Sequence, residues 1–142
     1  MSNMNPVVHF EMPYEDKSRM AKFYAQVFGW KHQMLGPEMG NYVVVSTSER
    51  DEKTGFPKKP GMINGGFFAK TKDTQYPSLV IAVDDIKQAM KGVKEGGGKI
   101  LGGQKPGEPD EIPGVGLYVA FIDTEGNRVG MLQPAPMHGQ TR

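Results

Sequence analysis

The residues best suited to chemistry stand two apart near the start of the chain, His9 and Glu11 in the run VVHFEM. Successive side chains of an extended segment alternate between faces. Val7, His9 and Glu11 therefore share one side, and Val8, Phe10 and Met12 the other. An imidazole with a carboxylate at hand is an acid–base pairing, because the carboxylate orients the ring and raises its basicity. His9 and Glu11 are the candidate catalytic residues. A solitary strand histidine also serves as a hydrogen-bonded structural residue, and a strand glutamate as a solvated one, so both readings stand at this point. The chain has no cysteine, which removes thiolate nucleophiles, disulfides and Cys-ligated metals.

Aromatic residues recur on strands or strand edges: Tyr42, Phe67, Phe68, Tyr76 and Tyr118. Most suit a core. Any that face a cleft would give an apolar wall with a phenol donor, fit for a planar or acyl ligand. Tyr42, Phe67, Tyr118 and Gln133 are the candidate ligand-binding residues. Arg128 alternates with Gly130 on the last strand and reads as a solvated strand-end residue. His32 and His138 read as surface positions. Gly96-Gly97-Gly98 follows a helix instead of opening one, so it lacks the context of a phosphate-binding loop.

The elements that must position these groups form a pattern written twice. Residues 7–30 read as strand, turn, helix and new strand. Met12-Pro13 closes the strand, Asp16 caps the helix, and Gly29 stops it. Met20, Phe23, Tyr24 and Val27 supply the apolar stripe expected to cover the sheet, with Val8, Phe10 and Met12 beneath it. Residues 78–101 repeat the sentence. Leu79–Val83 is a strand, Asp84 or Asp85 a cap, and Ile86, Ala89, Met90 and Val93 match the first stripe position by position. This predicts an internal repeat of roughly 65–70 residues, longer than solenoid periods. Between the two copies lie strands at 30–35, 41–47 and 62–70, with a charged exposed loop at 48–61. Gly65-Gly66 marks a bulge or a close backbone approach. After the second helix come strands at 99–102, 115–122 and 128–133, with a loop at 103–114. The expected fold is α+β, two tandem β-α-β-β-β modules in one domain over 1–142. Module one spans about 5–70, module two about 76–134, and a tail runs over 135–142.

At 142 residues and 37% hydrophobic composition, one globular domain with a real core is expected. A net charge of +1 argues against nucleic acid as the main partner. No apolar run is long enough for a membrane span, and no leader pattern opens the chain. A cytoplasmic protein is the expectation.

Three stretches carry a family resemblance: HFEMPYEDKSRMAKFYAQVFGW, VIAVDDIKQAMKGVKEGGGKI and FIDTEGNRVGMLQP. In this order they resemble the opening strand and helix, the second module and the closing hairpin of the vicinal-oxygen-chelate superfamily. That superfamily includes glyoxalase I, bleomycin-resistance proteins and extradiol dioxygenases. The texture is most similar to predicted enzymes related to lactoylglutathione lyase. The resemblance implies paired modules whose curved sheets enclose a cleft, a small-molecule ligand inside it, and a homodimer. It also implies a divalent metal held by the first and last strands of each module, where His or Gln alternates with Glu. Of these positions His9 matches. The last strand of module one offers no ligand around Gly66–Ala69, and Ser78 and Gly130 stand at the module-two positions. The expectation is therefore no tightly bound cofactor, with a weakly bound divalent metal at most. His9 with Glu11 is left as a metal-free acid–base pair. The implied function is action on, or binding of, a small oxygenated metabolite in the inter-module cleft, by lyase/isomerase- or dioxygenase-like chemistry. The alternative is sequestration of a small molecule without turnover, in the manner of bleomycin-resistance proteins.

Overall fold

The computed structural model describes residues 4–136. His138 lies outside them. Two compact units emerge, one of residues 9–78 and one of the residues up to Val8 together with the chain from Leu79 on. The residues before His9 belong to the second unit because the Ala82 N–H donates to the Pro6 carbonyl at 2.9 Å.

In the first unit, β1 (Val7–Tyr14) leads into helix α1 (Lys17–Phe28), then β2 (Lys31–Met34), β3 (Val43–Ser46) and β4 (Asn64–Ala69). β1 runs parallel to β4, β4 antiparallel to β3, and β3 antiparallel to β2. The α1 boundaries follow from local chemistry. Asp16 is extended and its carboxylate accepts the Arg19 N–H at 3.0 Å. Gly29 takes φ 74°, a left-handed conformation that ends the helix at little steric cost. One face of the sheet packs under α1, with Tyr14, Val43, Val45 and Phe67 at its centre and Phe10, Met12, Met20, Tyr24 and Trp30 around them. Met20 and Tyr24 cover the sheet as expected. Phe23 and Val27 do not, being 53% and 56% exposed. They sit one turn apart on the flank of α1, rotated away from the line through Met20, Ala21 and Tyr24.

The second unit repeats this connectivity. β5 (Ser78–Ala82), α2 (Ile86–Glu95), β6 (Lys99–Ile100), β7 (Asp110–Ile112), β8 (Gly116–Ile122) and β9 (Arg128–Pro134) follow in order. β5 is parallel to β9, β9 antiparallel to β8, and β8 antiparallel to β6. The stripe expected on α2 is the one used: Ile86 and Met90 are buried with Val83, Val119 and Met131, and Ala89 and Val93 pack against them. β7 corrects the loop expected at 103–114. Asp-Glu-Ile between prolines has no strand pattern of its own, and its pairing is supplied by β8. Each unit is α+β with a mixed sheet and one helix. Among the described residues no helix is long and apolar enough to cross a membrane.

Candidate functional site

Alternation along β1 sends Phe10, Met12 and Tyr14 under α1 and leaves His9 and Glu11 on the helix-free face of the first unit. In the sheet register His9 stands opposite Asn64, and Glu11 opposite Gly66, which is itself opposite Val44 of β3. Gly66 is bare for a reason. A Cβ there would collide with the Tyr42 hydroxyl and the ring edge next to it. The phenol of Tyr42 lies over this glycine and reaches both candidate catalytic residues.

The Tyr42 O–H donates to Glu11 Oε2 at 2.8 Å, and His9 Nε2 lies 2.9 Å from the Tyr42 phenol oxygen. A phenol has one hydrogen to give. With that hydrogen on Glu11, the His9–Tyr42 contact is an Nε2–H donating to the phenol oxygen. This fixes the neutral tautomer and leaves Nδ1 with its lone pair. The order is imidazole, phenol, carboxylate. Direct orientation of His9 by Glu11, with raised basicity, was the expectation from sequence. The structure replaces it, since the phenol is interposed and the imidazole pKa is lowered to about 4, first by burial and then by the charge of Arg50.

Arg50 was read only as part of an exposed charged loop. The segment in fact doubles back. The Asp51 N–H donates to the Phe56 carbonyl at 2.8 Å, and the Lys58 N–H to the Glu49 carbonyl at 2.9 Å. This turn lays Arg50 against β3, where its Nε donates to Ser46 Oγ at 2.6 Å and Nη2 to the Val45 carbonyl at 2.9 Å. Asn64, 3% exposed, holds the same corner through Oδ1, which accepts the N–H groups of Thr47 and Ser48 at 2.7 and 3.0 Å. The Asn64 amide nitrogen is buried with no hydrogen-bond partner. The available sequence signal for Arg50 was Asp51 ahead of Gly55 and Phe56-Pro57, a turn that returns the chain to the strand end it left.

The remaining candidates separate. Phe67 is 1% exposed in the core under α1, on the opposite side of the sheet from His9. The even-numbered residues of β4 share the face of Gly66, so an odd one could not join them. Gln133 accepts the Ile86 N–H at 2.9 Å and so closes the N-terminus of α2. Tyr118 repeats the Tyr42 arrangement in the second unit. It lies two residues before Ala120, the partner of Gly130, as Tyr42 lies two before Val44, the partner of Gly66. A Cβ at Gly130 would meet the Tyr118 hydroxyl at 2.6 Å. His32 is exposed, as expected.

These residues do not fit the divalent metal that the fold implies elsewhere. At two of the positions a glycine covered by a phenol stands where a ligand would project. No group of three or more His, Cys, Asp or Glu converges among the described residues.

The chain matches a family model described as "Bleomycin resistance protein-like N-terminal" over residues 7–48. It is 34% identical over 124 residues to a "Glyoxylase-like domain-containing protein" of Didymella fabae, covering 82% of this chain and 84% of that one. Among solved structures it resembles a methylmalonyl-CoA epimerase with a TM-score of 0.67 at 16% identity, over 95% of this chain and 99% of the other. A hypothetical protein from Bacillus halodurans C-125 superposes with a TM-score of 0.66 at 12% identity, over 97% of this chain and 100% of its own. With the fold, the repeated connectivity and a homologue matched over most of both chains, this protein belongs to the glyoxalase-like proteins of the vicinal-oxygen-chelate superfamily.

Proposed function

We propose that the chain binds a small oxygenated metabolite on the His9 face of its first unit and moves a proton at it without a tightly held metal. The carrying observation is the Tyr42 hydroxyl bonded to both His9 and Glu11. The His9 Nδ1 lone pair takes a proton from an acidic C–H or O–H of the ligand. Nε2 passes its own proton to the phenol oxygen, and the phenol proton moves to Glu11 Oε2. The reverse sequence returns a proton to the ligand. An imidazole held near pKa 4 is a weak base alone at neutral pH. The relay meets this difficulty, because the proton comes to rest on the carboxylate and no imidazolium has to persist.

The test is deuterium exchange at the ligand carbon in heavy water, over a set of small 2-oxo and 2-hydroxy compounds first sorted by thermal shift. Tyr42→Phe keeps the ring and removes the relay, and exchange is expected to fall by about 10²-fold or more. Exchange unaffected by Tyr42→Phe would end this reading. The second reading, sequestration without turnover, is favoured by the bleomycin-resistance-like match over the segment that contains His9, Glu11 and Tyr42. It predicts saturable binding with no exchange at all.

A further inference from the structure

Arg50 is a cation fixed at each of its three nitrogens. Its three hydrogen bonds go to neutral oxygens, those of Ser46 Oγ, the Val45 carbonyl and the Gly55 carbonyl, at 2.6, 2.9 and 3.0 Å. The ion pairs found among the described residues are Lys58–Glu49 and Lys70–Glu15, neither of which involves it. A guanidinium has five N–H groups. One is used on each of its nitrogens, so one remains on each Nη. A guanidinium immobilised with both Nη groups still able to donate is a preorganised fork for an oxyanion.

Its place gives the fork a partner in chemistry. After burial, the charge of Arg50 lowers the His9 pKa, and burial lowers the Arg50 pKa in turn, with Tyr42 acting in the opposite sense. The corner that carries it is tied by Asn64 to the row that holds His9. The face thus holds a cation at one end and a proton relay ending in a carboxylate at the other. An anion resting on Arg50 would offset that cation and so favour the arrival of a proton at the carboxylate end of the relay.

We propose that Arg50 anchors a carboxylate of the ligand, so that the substrate class is a small organic acid whose reactive C–H or O–H lies within a few bonds of that carboxylate. This rests on the proton-transfer reading for its second half, and the anchor stands without it. The anchor also makes His9 responsive. A bound anion cancels the positive charge that helps to depress the imidazole, so the His9 pKa should rise on binding.

The experiment is NMR titration of the His9 ring in the full chain with pyruvate, lactate and malonate, with their neutral methyl esters, and with inorganic phosphate. Deuterium exchange into the organic probes is followed in parallel. The acids are expected to bind and raise the His9 pKa, and the esters to bind at least tenfold more weakly. Arg50→Gln should abolish the difference between acid and ester, and Arg50→Lys should retain part of it. The acid–ester comparison on the unaltered protein holds even if Arg50→Gln fails to fold. Esters binding as well as acids would overturn the anchor, and so would phosphate outcompeting every carboxylate. Acids that bind through Arg50 without carbon exchange leave the anchor in place and remove the relay. Exchange of acids and esters alike would do the reverse.

Discussion

At the residue scale, the proposed chemistry and the pH sensitivity meet at His9. Its pKa falls from 6.5 to about 4 on folding, so the unfolded chain binds a proton over that interval and the folded chain does not. The contribution of His9 to stability is then flat above pH 6.5 and falls as the pH drops from 6.5 toward 4, by up to about 3 kcal/mol. His9→Gln should remove this slope. Urea midpoints at neutral pH and near pH 4 would separate less in the variant than in the parent, and an unchanged separation would show that His9 is not held neutral. The shared face of His9 and Glu11 was legible in the sequence, because strand alternation is strict. The phenol between them was legible in part: Tyr42 and Tyr118 both offered a donor for Glu11, and Tyr42 is the one that supplies it. Nothing local separates the two, because the reach of Tyr42 depends on a bare glycine on the neighbouring strand.

At the element scale, that glycine can be tested. Gly66 and Gly29 are both required, for different physical reasons. Gly29 sits at φ 74° with open space where a Cβ would go, so Gly29→Ala costs about 1–2 kcal/mol of backbone strain. Gly66 has no such backbone demand, but a Cβ there collides with the Tyr42 hydroxyl. Gly66→Ala should displace the phenol, break its bonds to His9 and Glu11, and cost about 1–3 kcal/mol. The two variants can lose similar stability, yet only Gly66→Ala should shift the His9 ring signals. Equal shifts in both would mean that the phenol is not held by the space above Gly66. Sequence reading had Gly65-Gly66 as a bulge or a close approach, and close approach is the outcome. Gly65 likewise lies beneath Phe10, whose carbonyl oxygen a Cβ would meet at 2.5 Å. The helix stripes were legible for α2 and only half so for α1. Met20, Phe23, Tyr24 and Val27 recur on α1, and a period alone does not tell the covered ones from Phe23 and Val27 on its flank.

At the scale of the whole molecule, the repeat seen in the helix stripes extends to the strand pairing and to the tyrosine over a glycine in each unit. Low identity between the halves hid this last correspondence, because it lives in sheet register and not in sequence spacing: Tyr42 precedes β3, while Tyr118 lies inside β8. Homodimerisation is expected, since exposed Phe23, Val27 and Phe28 leave apolar surface on α1. Light scattering at micromolar concentration should give twice the chain mass, and a monomer would refute the pairing. The tyrosine pair also bears on metal. A site with open coordination positions needs several nitrogen or carboxylate donors converging on one point. Here Gly66 and Gly130 contribute none, and the phenols above them fill the space in which a longer side chain would reach. His9 Nε2 and Glu11 Oε2 are both engaged by Tyr42, so a cation that took both would have to break that bridge. Protein incubated with zinc, nickel or manganese and then desalted should therefore retain well under one equivalent. Tyr42→Phe removes that bridge and should retain more than the parent. Stoichiometric retention by the parent, lost on His9→Ala, would show that the phenols shield nothing and that His9 is a ligand after all.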